Sequence, residues 1–161
     1  QLGLVEKIPK IIGVQSSGCA PFYKAFIDNA PLQETEENTI ADSIAVGIPR
    51  NPIKGMDAVK KSNGFYMTVT DEEILDAIEI LGKSEGIFAE PAGATATAGL
   101  IKIVHENKID KKSTIAVIVT GNGLKDLNSV ADKVKEQTLL YSPNSDIEKH
   151  PTIEGFIRSL N

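Results

Sequence analysis

Apolar residues along this chain fall into short runs whose spacing switches between the periods of strand and helix. Lys10 to Gln15 is a β-branched run ahead of the turn-rich Ser16-Ser17-Gly18, which predicts a strand. Pro21 opens a helix through Phe22, Tyr23, Phe26 and Ile27, and Pro31 closes it. Thr39 to Gly47 is apolar but too short for its period to separate strand from helix, and Pro49 and Pro52 end it. Residues 53–62 predict a helix stopped by Asn63-Gly64, and Phe65 to Val69 alternates as a strand does. Thr70-Asp71-Glu72-Glu73 carries a capping box, with Asp71 adding favourable charge at the helix start. Ile74, Leu75, Ile78 and Leu81 then recur on one helical face, and Gly82 and Gly86 mark its end.

The second half continues the alternation. Pro91 starts a long helix to His105 whose first two turns, Ala92-Gly93-Ala94-Thr95-Ala96-Thr97-Ala98-Gly99, carry almost only small side chains, so another backbone or a flat ligand must lie close. Residues 114–119 have apolar side chains on both faces, the mark of a parallel strand buried between helix layers. A polar helix over 130–137, a loop with Pro143 and Pro151, and a short helix over 153–160 follow. Strands alternating with helices predict an α/β layered architecture.

Composition narrows the class. The 161 residues are 41% hydrophobic and 24% charged, enough for a real core. A formal charge of −5 and a pI near 5.1 argue against polyanions such as nucleic acid, and the acidic stretch Gln33 to Asn38 reads as a solvated loop. Cys19 is the one cysteine, so no internal disulfide forms; it reads as packing, in keeping with a cytoplasmic location. No apolar run reaches a membrane span, and the basic-then-apolar plan of a signal peptide is absent. Gln1-Leu2-Gly3-Leu4 reads as the frayed end of a helix whose earlier part is missing.

The chemistry points to one place. Thr120 stands where the 114–119 run surfaces, and in open α/β sheets ligands bind beyond the carboxyl ends of strands. Its hydroxyl can donate or accept, while Gly121 and Gly123 remove side chains that would keep a flat ring away. Taken alone, a strand followed by Gly-Asn-Gly is more often a plain turn.

Thr120-Gly121-Asn122-Gly123-Leu124-Lys125-Asp126, with 85–92 and 70–74 upstream of it, resembles the C-terminal part of the threonine synthases, pyridoxal-phosphate enzymes of the tryptophan-synthase-β-like fold. The resemblance runs in order from about Ile8 to Asp126; related serine and threonine dehydratases tend to have a Ser-Gly-Gly-Asn type of sequence at the motif. Family members usually show His where this chain has Asn122.

The resemblance implies a three-layer αβα fold with a mostly parallel sheet. Residues 1–140 would form the C-terminal part of the large cofactor domain and 141–161 a tail with a short helix. It implies pyridoxal 5'-phosphate as cofactor, with Thr120 bonding the ring nitrogen and Gly121, Ser43 and Ile44 as further contacts. For the intact enzyme it implies conversion of O-phospho-L-homoserine and water to L-threonine and phosphate, in a homodimer. The Schiff-base lysine and the Gly-rich phosphate loop would lie upstream, so this chain would hold no catalytic residue, would be inactive alone and would need the missing N-terminal part. Lys125 then reads as a surface or helix-start lysine. Glu90 could orient the pocket, cap the helix or form a buried salt bridge. Gln15 to Cys19 lacks the carboxylates that related racemases use for a metal, which disfavours a metal site there. His105 and His150 read as solvent-facing. The alternatives are a serine/threonine dehydratase fragment and a non-catalytic binding or assembly module of the same fold.

Overall fold

The computed structural model describes residues 6–110 and 112–129. The chain divides into two units, Gln1–Ser129 and Val130–Asn161. The second lies outside the described residues, and with it the helices expected over 130–137 and 153–160, the boundary at 140 and His150; the expected frayed start at residues 1–4 lies outside them as well.

Two strands, β1 (Ile12–Ser16) and β2 (Phe65–Val69), pair in parallel with Ile12 opposite Phe65 and Ser16 opposite Val69. A parallel pair needs a crossover, and α1 (Pro21–Ile27), a 3-10 turn at Asp42–Ile44 and α2 (Pro52–Lys61) lie along it. The ambiguous 39–47 stretch is therefore neither strand nor α-helix. Both helices begin with Pro, whose missing N–H would have no partner there anyway.

Neighbouring residues on a strand face opposite ways, and here each face has its own cover. On one, Tyr66 stacks on Phe22 with centroids 5.2 Å apart and meets Phe26 edge-on at 5.7 Å. Burial of Tyr66 pushes its phenol above the ordinary value of 10. On the other, Val14 abuts Gly99 of α4 (Pro91–His105), and any larger side chain at 99 would overlap it. Behind α4 packs α3 (Asp71–Glu85). Val69, Ile74 and Ala77 are wholly buried between these layers.

The capping box at Thr70 is complete: Glu73 N–H donates to Thr70 Oγ1 at 3.2 Å and Thr70 N–H to Glu73 Oε2 at 2.7 Å. Gly82 does not stop α3; Gly86 does, taking the left-handed conformation at φ 66°. Glu37, expected to be solvated, accepts the Gly47 amide at 2.6 Å and ties the acidic loop back.

The buried strand expected over 114–119 is not formed. Those residues take no regular structure and all but the half-buried Val119 are open, with Ile118 74% exposed. The reason is edge pairing: a parallel strand is stable only with its N–H and C=O groups bonded to neighbours and helices over both faces. No strand among the described residues reaches this run, and β1 too has one edge unpaired.

Candidate functional site

The site begins with an acid rather than with the lysine. Glu90 occupies the N-cap position of α4 with its side chain 6% exposed, yet makes no side-chain cap bond. Its N–H donates to Gly121 O at 3.1 Å, and Gly123 N–H donates to Phe88 O at 2.9 Å, so 88–90 and 121–123 form a short antiparallel bridge. This bridge sets Thr120-Gly121 against the small-residue start of α4. A Cβ at Gly93 would meet Gly121 O at 2.8 Å, and one at Gly121 would overlap the Glu90 carboxylate. The close neighbour that the small residues of α4 call for is thus a backbone at one end and Val14 at the other.

Asn122 accepts the Leu124 amide at 2.9 Å and starts a 3-10 turn, Gly123–Lys125. The turn brings Lys125 back onto Glu90, with Nζ 3.1 Å from Oε2. Of the three readings of Glu90, the salt bridge is realised and the side-chain cap is not. Lys125 is exposed at the helical turn, as expected, but it is ion-paired. His105 is exposed, as expected.

Ser43 faces the same acid from another direction. With Asp42, Glu90, Pro91, Ala92, Lys125 and Asp126 it lines a cleft of ≈ 80 Å³. Ile44 is half-buried in the same 3-10 turn but does not line the cleft. Thr120 is exposed, and its hydroxyl has no hydrogen-bond partner among the described residues. The structure thus places Gly121 and Ser43 beside Glu90, while Thr120, the residue before Gly121, does not line the cleft.

Asp71 is the residue that sequence reasoning undervalued. Read as a helix-start charge, it also accepts hydrogen bonds from Ser16 Oγ at 3.1 Å, Thr39 Oγ1 at 2.6 Å and Ile40 N–H at 3.0 Å. It fastens the end of β1 and the stretch leading to Ser43 onto α3. No local pattern announces this; the partners lie 31 to 55 residues away.

These groups suit one wall of a pyridoxal-phosphate site. The free Thr120 hydroxyl has the right chemistry for a ring nitrogen, and Gly121 carries no side chain to block approach. The cleft is far smaller than the roughly 300 to 1,000 Å³ of ligand pockets, and its one cation is engaged by Glu90, so it offers no complete phosphate cradle.

A family model described as "Pyridoxal-phosphate dependent enzyme" matches residues 2–121. The threonine synthase of Methanocaldococcus jannaschii is 43% identical over 128 residues, covering 77% of this chain and 31% of that protein. That of Methanosarcina acetivorans is 41% identical over 141 residues, covering 86% of this chain and 35% of that protein. The chain therefore spans about a third of the length of these relatives. Among solved structures, threonine deaminase isoform 2 from Solanum lycopersicum superposes with a TM-score of 0.64 at 23% identity, over 78% of this chain and 36% of that one. A fungal L-serine ammonia-lyase from Rhizomucor miehei does so at 0.63 and 18%, over 79% and 41%. At these identities the likeness shows the α/β fold, of which this chain is a part.

Proposed function

The chain belongs to the pyridoxal-phosphate dependent enzyme family, and we propose that it is the C-terminal part of a threonine synthase, which converts O-phospho-L-homoserine and water to L-threonine and phosphate. The observation that carries this is the identity of 43% to a threonine synthase over 77% of this chain. The threonine deaminase and the serine ammonia-lyase share the fold at about half that identity, which lends the dehydratase reading less support.

When bound, pyridoxal phosphate would supply the electron sink that acidifies the proton on the substrate's amino-bearing carbon. Thr120 offers its hydroxyl to the ring nitrogen. A hydroxyl is a weak acid, so it holds the ring without forcing a proton onto it as a carboxylic acid would. Gly121 keeps that edge clear, and Ser43, with Ile44 behind it, forms part of the opposing wall.

The remaining two-thirds of the protein supplies the lysine, the phosphate cradle and strands for the open edges of β1 and the 114–119 run. The exposed apolar residues of that run support this, since burying them needs a partner. In this reading residues 1–140 belong to the large domain and 141–161 form a tail, the enzyme is a cytoplasmic homodimer, and the chain alone is inactive. No helix among the described residues is long and apolar enough to cross a membrane.

The test is product analysis of the full-length protein. Phosphate release from O-phospho-L-homoserine with formation of threonine is expected; ammonia release from threonine without that activity would establish the dehydratase instead. Neither activity, with tight association to a separately encoded chain, would favour the assembly module. Thr120→Val, which keeps the shape and deletes the hydroxyl, is expected to weaken cofactor binding with little change in stability. An unchanged dissociation constant would remove Thr120 from the site.

A further inference from the structure

We propose that Lys125 is a positioning residue: it is the counter-ion that allows the buried Glu90 carboxylate to pack beneath the Thr120-Gly121 turn and so keeps that turn in place. The proposal rests on the reading of Thr120 given above.

The arrangement is asymmetric. Glu90's side chain is 6% exposed while that of Lys125 is 64% exposed, so the acid bears nearly all the burial and the base reaches it from solvent. One carboxylate oxygen faces Lys125 Nζ at 3.1 Å; the other lies where a Cβ on Gly121 would be. The chain reverses between these contacts through the 3-10 turn capped by Asn122. Lys125 therefore sits four residues after Gly121 and closes a small loop over the acid.

A buried carboxylate that loses its counter-ion must take up a proton, draw in water or move. Each route disturbs Gly121, which the acid touches through both backbone and side chain, and Thr120 is the next residue. Removing both charges together leaves nothing uncompensated, so it disturbs the turn less than removing Lys125 alone. That ordering separates charge compensation from a role in packing.

The experiment uses the full-length protein and two readouts: amide hydrogen exchange at Glu90 and Gly123 in the cofactor-free form, and titration with pyridoxal phosphate. Lys125→Met should speed exchange at both amides by about tenfold or more and weaken cofactor binding on the order of tenfold, the lower end of what outer-shell partners contribute at metal sites. Lys125→Arg should restore both. The double variant Glu90→Gln with Lys125→Met should bring exchange at both amides back to within about threefold of wild type, since it leaves no unpaired buried charge. Wild-type exchange in Lys125→Met, or a double variant as impaired as Lys125→Met, overturns the proposal. Should Lys125→Met not fold, a folded double variant supports it and an unfolded one overturns it. Thr120→Val is run alongside: if its cofactor binding is unchanged, the Thr120 reading fails separately, because the exchange data judge Lys125 without reference to the cofactor.

Discussion

Replacing Asp71 with Ala should loosen the site from a distance. The carboxylate accepts three hydrogen bonds, from Ser16 Oγ, Thr39 Oγ1 and Ile40 N–H, at 3.1, 2.6 and 3.0 Å. Bonds to a charged acceptor contribute about 1.5 to 3 kcal/mol each when buried; Asp71 is half-buried, so water recovers part of that and about 1 kcal/mol each is a sounder figure. Loss of a negative charge at the start of α3 adds about 0.5 kcal/mol. The sum is about 3 to 4 kcal/mol, concentrated where β1, the 39–41 stretch and α3 meet. Hydrogen exchange on the full-length protein measures it directly, because the Ile40 amide donates to Asp71. Exchange at Ile40 should quicken by about a hundredfold or more, while amides in the middle of α4 change much less. Asp71→Asn keeps one acceptor oxygen and should show roughly half the loss. A change below threefold at Ile40, or an equal change throughout α4, would refute the view that Asp71 is the local fastening.

Three further outcomes follow from burial. Ile74 is wholly buried, so Ile74→Ala should cost about 3 to 4 kcal/mol in denaturant unfolding, and a loss under 1 kcal/mol would mean the α3 interface is not packed as described. Thr97 Oγ1 is buried without a partner among the described residues, so Thr97→Val should stabilise by about 1 kcal/mol; a loss of stability would reveal a partner supplied by the rest of the protein. Tyr66's phenol is raised by burial, so the unfolded state gives up this proton more readily than the folded one. Stability from keeping it neutral is fully present below about pH 10 and is lost as pH rises from there through the higher folded value. Tyr66→Phe should blunt that alkaline loss, and an unaltered alkaline profile would show that Tyr66 does not drive it.

How much was legible before the structure varied with the range of the interaction. β2 over 65–69, the capping box at Thr70 and the helix opened by Pro91 all rest on contacts within a few residues, and all three are present. Gly82 misled because a lone glycine costs a helix only about 1 kcal/mol, less than the buried face of α3 returns. The 39–47 stretch stayed undecided because its conformation is set from outside, by Asp71 at Ile40 and by Glu37 at Gly47. Thr120 and Gly121 were visible as types at a suggestive place and Ser43 came only from the family resemblance; that Glu90 pairs with a lysine was one option among three, and its partner Lys125 was not named.

Local stereochemistry therefore decided which segments could be helix or strand and where they began, because capping, proline and periodicity act over one or two turns. It also made the family recognisable through the short motif ending at Asp126. Tertiary structure alone decided which charges meet and which apolar run is covered. The apolar pattern of 114–119 is that of a buried strand, but burial is a property of neighbours, and the described residues hold no strand to pair with it. The same holds for Lys125: its side chain reads as solvent-facing until the turn after Asn122 lays it against a carboxylate 35 residues earlier in the chain.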